Sequence, residues 1–308
     1  MSIFQEPWWL DAVAPGLWRE VAVSRGGSVV GRWPFCEYKS YSMSFIGMAP
    51  LTPTLGPWIS EQKGSVVART RAEIEIVTEL TSKLPKHVFF RQIFCPSKTN
   101  MLPYQMNHFS IGLEHTIEFD WRDSVETTWK SMKSELRNQI RSAENRGYII
   151  DLADIDEYIN LHTRNIKSRN VSNYLDVSVF RRLFAICQTR DSAKIFGYVN
   201  SKNELGAALC CVYGHGRMHH LFQVQHHELA PSGAMDALTW NAIKFSKSKQ
   251  LAYDLDGIPN EIVARRQLKY GGQLKNRFIV TGGHALFLGF RQAIKKTRAM
   301  KRNGWRFC

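Results

Sequence analysis

The sequence lacks a CxxC pair, a regular cysteine spacing and any uninterrupted apolar run of about 18 residues, the length that spans a bilayer. Its six cysteines are scattered, which predicts reduced packing thiols rather than a disulfide framework or a zinc knuckle. The first residues contain neither the basic segment nor the apolar core of a secretory signal. We therefore expect a cytoplasmic protein without a membrane-spanning helix.

Acidic residues are missing from the end of the chain, because none follows Glu261. The 308 residues carry a formal net charge of +14, from 41 Lys and Arg against 27 Asp and Glu. Residues 262–308 hold 12 of the basic residues, which leaves 29 basic and 27 acidic side chains in residues 1–261. This local charge predicts a site for an anionic partner near that end, rather than a basic surface throughout.

Aromatic and apolar residues are plentiful, at 12% and 44% of the chain. This composition excludes intrinsic disorder, and the length suits one large domain or two of ordinary size. Five tryptophans lie in the first 58 residues. They are typical of core packing, and stacking on sugar rings or bases is the alternative.

The second half alternates helical and strand patterns in a defined order. Periodicity predicts helices near 154–169 and 177–190, three antiparallel strands within 193–225, a helix from Ser232 to about Lys249, and then a strand and a helix. A helix over 123–143 is predicted by a capping box and by apolar residues at spacings of three and four. The first half is a looser version of this order, which suggests two related α+β units.

A basic row lies on one face of the helix predicted over 123–143. It consists of Lys130, Lys133, Arg137 and Arg141. Such a row is typical of a solvated helix face, and contact with a phosphate or an acidic partner is the alternative.

Four phrases in chain order resemble the FemAB-like branch of the GNAT acyltransferase superfamily. They are FQEPWWLDAV, PLTPTLGPWI, EHTIEFDW with the helix after it, and YDLDGI followed by QLKYGGQL. The resemblance implies an α+β fold of two tandem GNAT-like domains, each a mostly antiparallel sheet flanked by helices. We place these domains at residues 1–120 and 121–290, with a basic C-terminal tail at residues 291–308.

The resemblance also implies an N-acyltransferase that acts in cell-envelope or polysaccharide biosynthesis. The donor would be acyl-CoA or aminoacyl-tRNA, and the acceptor an amine of a sugar, a nucleotide sugar or a peptide. Direct attack by the amine requires a base or water, dipoles that stabilise the oxyanion and a groove for the donor, but neither a protein nucleophile nor a metal. The alternative is a non-catalytic basic protein that binds nucleic acid, or an anionic membrane at its inner face through the C-terminal tail.

Four residues are candidates for the acid–base chemistry. His226 and His227 end the third strand, and histidine as a class titrates near neutral pH, although ordinary strand-end polar residues are the alternative. Asp254 and Asp256 alternate with apolar residues on the last strand and so share a face. The resemblance places this region near the acceptor, and a turn at Asp256 and Gly257 is the alternative.

The candidates for donor binding surround a helix start. Ser232 and Gly233 begin the helix after the third strand, where the resemblance implies a pyrophosphate site, and a plain helix cap is the alternative. Arg266 and Lys269 are the candidate cations. Gln267 stands where the family often has a lysine.

The histidines do not form a metal site in this interpretation. His220 and His226 share a face of one strand, but six residues of extended chain separate them by about 20 Å. A single ion cannot bridge that distance, so no metal is predicted.

Overall fold

The structure, a computed structural model, describes residues 1–169 and 175–283, so the basic tail predicted at 291–308 lies outside the described residues. The strands are β1 (Trp18–Arg25), β2 (Ser28–Ser40), β3 (Met43–Gly47), β4 (Trp58–Ile59), β5 (Phe89–Phe94), β6 (Ser110–Phe119), β7 (Gly147–Asp151), β8 (Ala193–Asn200), β9 (Leu205–Gly214), β10 (Arg217–Gln225), β11 (Ala252–Asp254) and β12 (Gln273–Gly283).

The α-helices are α1 (Pro7–Val13), α2 (Val66–Lys83), α3 (Leu102–Met106), α4 (Val125–Ser131), α5 (Ser134–Glu144), α6 (Ile155–Arg169), α7 (Val177–Thr189), α8 (Ala234–Ser248) and α9 (Glu261–Gln267). Short 3₁₀ helices lie at Ile3–Gln5 and Leu268–Tyr270. None of the helices in the described part of the chain is long and apolar enough to cross a membrane.

The chain divides into two compact units. Unit 1 comprises residues 1–13 and 114–276, and unit 2 comprises residues 14–113 with the described residues from Arg277 onward. Residues 1–13 thus belong to the same unit as residues 114–276, and residues 277–283 belong to the same unit as residues 14–113. The N-terminal end packs in unit 1, where the Phe4 ring lies 4.6 Å from the ring of His219. The division into independent domains at the predicted boundaries, 120 and 290, stays a prediction.

The sheet of unit 1 has the order β6-β11-β10-β9-β8-β7. Only the β10–β11 pair is parallel among the pairs of this sheet that the structure describes. Helices α5 and α8 bury one face of it, with Leu136, Ile140 and Leu238 in the shared core. Helices α6 and α7 contribute Tyr158 and Phe180, whose rings lie 5.2 Å apart. This arrangement fixes the start of α8 beside the end of β10.

The sheet of unit 2 has the order β1-β2-β3-β5-β12, with β4 paired to β2. The β3–β5 pair is parallel and the other pairs are antiparallel. Trp33 is fully buried in its core against Phe90 and Phe94, and its indole N–H donates to Gln92 Oε1 at 2.7 Å. Core packing thus accounts for Trp33. Both sheets agree with the predicted α+β class with mostly antiparallel strands.

The helix predicted over 123–143 is two helices, so the prediction of one continuous helix is wrong. Ser124, not Asp123, caps α4 by accepting from the Thr127 N–H at 3.0 Å. The chain breaks at Met132 and Lys133, while Met132 stays buried and keeps the apolar stripe continuous. Arg137 donates to the carbonyl oxygens of Trp129, Lys130 and Met132, which satisfies the end of α4. This member of the basic row therefore has a capping role.

Candidate functional site

The parallel pair β10–β11 is short, and the strands separate beyond it. Arg217–His219 pair with Ala252–Asp254, and the register of β10 against β9 then shifts between His220 and Phe222. Such a bulge adds one residue, here Leu221, and bends the strand. Beside it lies a cavity of about 400 Å³, which we call the strand cavity; its lining includes His220, Leu221 and Asp256.

His220 lies at the wall of the strand cavity and is held at both ring nitrogens. Its Nε2 lies 3.0 Å from Gln223 Oε1, and its Nδ1 lies 3.1 Å from the hydroxyl of Tyr253. Burial lowers the pKa of His220 to about 4, so the ring is neutral at physiological pH. A neutral ring has one donor and one acceptor; Gln223 Oε1 can only accept, so Nε2 donates and Nδ1 accepts from Tyr253.

Asp254 and Asp256 have different surroundings. Asp254 is 1% exposed, and its Oδ1 accepts from Thr116 Oγ1 at 2.5 Å and from the Asp256 N–H at 2.9 Å. It therefore stabilises the turn that follows β11. Asp256 lies in that turn with φ +58° and lines the strand cavity. The predicted shared strand face is wrong, because β11 ends at Asp254.

The two predicted histidines stack on each other at the end of β10. The rings of His226 and His227 lie 5.3 Å apart at an interplanar angle of 12°. His226 is buried, and His227 is exposed with Nε2 at 3.7 Å from Glu228 Oε1. His227 lines a second cavity of about 640 Å³. A role of either histidine as general base stays a prediction.

The second cavity lies at the start of α8, and we call it the basic cavity. Its lining includes the four predicted donor-binding residues, and Arg265 as a further cation. Lys269 Nζ lies 3.0 Å from both carboxylate oxygens of Glu135, and Arg265 lies 2.6 Å from Glu261 Oε1. Arg266 and Ile262 line both cavities, so the basic cavity and the strand cavity adjoin.

Gly233 has a packing role at the start of α8. Its φ is +93°, and a Cβ built there would lie 2.5 Å from the carbonyl oxygen of Gln139 on α5. Glycine therefore allows α8 to begin close to α5. The alternative of a helix cap describes this residue, and its contact with a donor stays a prediction.

Asp236 is a functional candidate that the sequence alone did not single out. It is 4% exposed in the first turn of α8, where its Oδ1 accepts from the Tyr270 hydroxyl at 2.6 Å and from Arg266 Nη2 at 2.8 Å. An acid in the first turn also interacts favourably with the helix dipole. The only feature of the sequence that could have indicated Asp236 is an acid three residues after Gly233. Its partners Arg266 and Tyr270 lie more than 25 residues away, so the local sequence does not indicate these contacts.

No group of three or more His, Cys, Asp or Glu side chains with metal-binding geometry occurs within residues 1–169 and 175–283. The five cysteines in these ranges are free, and burial raises the pKa of Cys36 and Cys187 to about 11. These two thiols are thus packing residues.

Comparison with known proteins gives a family match and a fold match. Residues 130–261 match the profile of the Acetyltransferase (GNAT) domain family. A comparison with curated proteins finds no matching sequence. The fold is similar to that of FemX, with a TM-score of 0.66 at 10% identity over 90% of this chain and 91% of that one.

Two further solved structures share the fold. L-PGS from Bacillus licheniformis has a TM-score of 0.53 at 12% identity, over 88% of this chain and 85% of that one. A tandem GNAT protein from the clavulanic acid biosynthesis pathway has a TM-score of 0.52 at 11% identity, over 89% and 86%. These likenesses confirm the predicted fold of tandem GNAT-like units. The family match confirms the predicted resemblance to GNAT proteins and the predicted class of enzyme, an acyltransferase.

Proposed function

We propose that this chain is an N-acyltransferase that moves an acyl or aminoacyl group from a phosphate-bearing donor to an amine of a cell-envelope or polysaccharide precursor. The donor is acyl-CoA, which GNAT folds generally use, or aminoacyl-tRNA. The amine attacks the donor carbonyl directly, so that the new amide forms as the bond to the carrier breaks.

One observation carries this proposal: two cavities of different chemistry adjoin and share Arg266. The basic cavity has cations and the start of α8, which together suit phosphate groups. The strand cavity has the carboxylate of Asp256 and a mixed lining of apolar side chains, such as Val263, and polar ones, such as Thr239. A donor in the first and an amine in the second would meet at their common wall.

The residues of the basic cavity fit an anionic donor. Arg265 is exposed, and the side chain of Lys269 is 35% exposed, so each can turn from its surface carboxylate to a phosphate. Arg266 is less free, because Asp236 holds its guanidinium. We assign Arg265 and Lys269 to the phosphates of the donor. The start of α8 at Ser232 and Gly233 is assigned to the same phosphates.

The strand cavity supplies groups for the reacting atoms. Beyond His219, β11 no longer pairs with β10, so this edge of β10 is open. A backbone N–H on the open edge would stabilise the oxyanion that forms during acyl transfer. Asp256 is the candidate that attracts the ammonium group and, with water, accepts its proton. His220 is not assigned the role of base, because a group with a pKa of about 4 is a weak base toward an amine. Its neutral ring forms part of the cavity wall.

The test compares two arginines in matching surroundings. Arg265 and Arg71 are both exposed and both pair with a glutamate one helical turn away. We expect Arg265→Ala to raise the donor KM about tenfold with little change in kcat, the size of one charge-assisted contact. Arg71→Ala should change neither value.

The measurement is transfer by the purified full chain, with acetyl-CoA and with aminoacyl-tRNA, to a panel of amino sugars, amino acid amides and peptides. Product formed with one donor class identifies that donor. Absence of transfer with both donor classes across the whole panel would contradict the proposed function.

A further inference from the structure

The turn after β11, residues 255–258, has the backbone N–H group of each of its residues in a hydrogen bond. Three of the four acceptors belong to β6. The bonds run from Leu255 to the Ile117 carbonyl oxygen at 2.9 Å, from Asp256 to Asp254 Oδ1 at 2.9 Å, from Gly257 to Thr116 Oγ1 at 3.0 Å, and from Ile258 to the His115 carbonyl oxygen at 2.8 Å. Strand β6 therefore fixes the course of this turn.

Asp256 depends on such support, because its backbone is in the left-handed region. Its φ is +58°, and Gly257 follows with φ +75°. Glycine adopts this conformation without a steric cost, whereas a residue with a side chain is held there by its surroundings. The hydrogen bonds of the turn thus determine where Asp256 stands in the lining of the strand cavity.

Thr116 contributes a hydroxyl to this set, and the hydroxyl is used in both directions. Its Oγ1 donates to Asp254 Oδ1 at 2.5 Å and accepts from the Gly257 N–H at 3.0 Å. Thr116 is fully buried, so water does not replace either bond when the hydroxyl is removed. The other two acceptors on β6 are backbone carbonyl oxygens, which a substitution leaves in place.

Gln267 on α9 holds the same turn through its carbonyl groups. Its Nε2 donates to the carbonyl oxygens of Leu255 and Gly257, both at 3.2 Å. These two bonds do not involve Thr116. Loss of the Thr116 hydroxyl should therefore loosen Asp256 and Gly257 locally and leave the rest of the turn in place.

We propose that Thr116 is a positioning residue for the acyl transfer: its hydroxyl joins Asp254 to the Gly257 N–H and so holds the Asp256 carboxylate where the acceptor amine arrives. This rests on the proposed function, which assigns the ammonium group of the acceptor to Asp256. Thr116 lies outside the lining of the strand cavity, so it acts through Asp256 rather than on the substrate.

The first experiment measures amide hydrogen exchange of the full chain without donor or acceptor. Thr116→Val keeps the shape of the side chain and removes the hydroxyl, so exchange at Asp256 and Gly257 should be at least about tenfold faster. Thr116→Ser keeps the hydroxyl and should stay within about twofold of the wild type. Should the valine variant not fold, Thr116→Cys replaces it, because a thiol is only a weak donor and acceptor.

The amides of the buried strand β9 report global opening in the same samples. Unchanged exchange at Asp256 and Gly257 in Thr116→Val would overturn the proposal. An equal acceleration in β9 would also overturn it, because the effect would then be a general loss of stability. Since no transfer is measured, either outcome is distinct from a failure of the acyltransferase assay.

The second experiment measures transfer to the acceptor of the panel that is converted fastest. Thr116→Val should lower kcat/KM for this acceptor about tenfold and leave the donor KM within about twofold, and Thr116→Ser should restore transfer. Thr128→Val is the control, because Thr128 is 5% exposed on α4 and its hydroxyl donates to the Ser124 carbonyl oxygen at 3.0 Å. Equal losses in the two valine variants would contradict a specific role of Thr116.

A double-mutant cycle tests whether Thr116 acts through Asp256. Asp256→Asn removes the carboxylate charge, and asparagine also tolerates the left-handed conformation. In this background Thr116→Val should lower kcat/KM by less than about twofold, because the carboxylate that it would misplace is already absent. The same loss in both backgrounds would show that Thr116 does not act through Asp256, and would overturn its role as a positioning residue.

Discussion

His220 illustrates at the scale of single residues how a cavity wall sets a protonation state. The ring lies between the Tyr253 hydroxyl and Gln223 Oε1, and burial favours its neutral form. Its pKa of about 4 in the folded protein lies below the ordinary value of 6.5. On acidification the unfolded chain therefore takes up this proton first.

This difference predicts a pH dependence of stability. The contribution of His220 is fully present above about pH 6.5 and is lost as the pH falls toward 4, at up to about 1.4 kcal/mol per pH unit. His220→Gln removes the titration and retains hydrogen-bonding groups. We expect a smaller fall in the free energy of unfolding between pH 6.5 and 4, measured by urea denaturation at a series of pH values. The same fall in both proteins would show that His220 is not responsible.

The two aspartates show what sequence reasoning at this scale can reach. The shared strand face predicted for Asp254 and Asp256 was wrong, and the alternative of a turn at Asp256 and Gly257 describes the pair. The sequence could not show that Asp254 accepts from Thr116, because that partner lies 138 residues earlier. Burial and partner choice are properties of the folded chain, so a residue type and a spacing do not determine them.

At the scale of elements, the start of α8 depends on a glycine. Gly233 has φ +93° and lies against the Gln139 carbonyl, whereas Gly216 has φ +74° with nothing within 4 Å of its Cβ position. The two glycines therefore share a left-handed conformation and differ in the space around them.

We expect Gly233→Ala to lower the free energy of unfolding by about 3 kcal/mol, because strain and a backbone clash add. Gly216→Ala should cost about 1 kcal/mol from strain alone. Chemical denaturation of the two variants measures the difference. Equal losses would mean that α5 moves away freely, and that the close approach of α8 to α5 contributes little.

The elements of the second half were largely predictable from periodicity. Helices α6, α7 and α8 begin and end within two residues of the predicted bounds. The missed elements are β7, a half-exposed strand of five residues, and β12, which begins with polar residues. Neither has a clear alternation of apolar residues, because tertiary pairing supplies much of a strand's stability.

At the scale of the whole molecule, the charge is concentrated toward the end of the sequence. Of the 12 basic residues after Glu261, seven lie in residues 291–308, which are outside the described part of the chain. Arg265 and Lys269 border the basic cavity. We therefore assign the proposed donor binding and the proposed contact with an anionic surface to different groups of cations.

Removal of residues 291–308 tests the proposed contact with anionic membranes. Each basic residue near such a surface contributes about 1 kcal/mol, so the truncated chain should sediment far less with phosphatidylglycerol vesicles. Phosphatidylcholine vesicles are the control, and neither protein should bind them. Unchanged sedimentation with the anionic vesicles would exclude the tail as a membrane contact.

Each unit combines segments that are distant in sequence, and this has a consequence for synthesis on the ribosome. Residues 1–13 are translated long before α7, against which α1 packs. The strand that covers the edge of β5 is β12, near the end of the described chain. Until β12 leaves the exit tunnel, a nascent chain carries an open strand edge, which is prone to pair with other chains. Co-translational folding of unit 2 therefore reaches completion only after residues 114–276 of unit 1 have been translated.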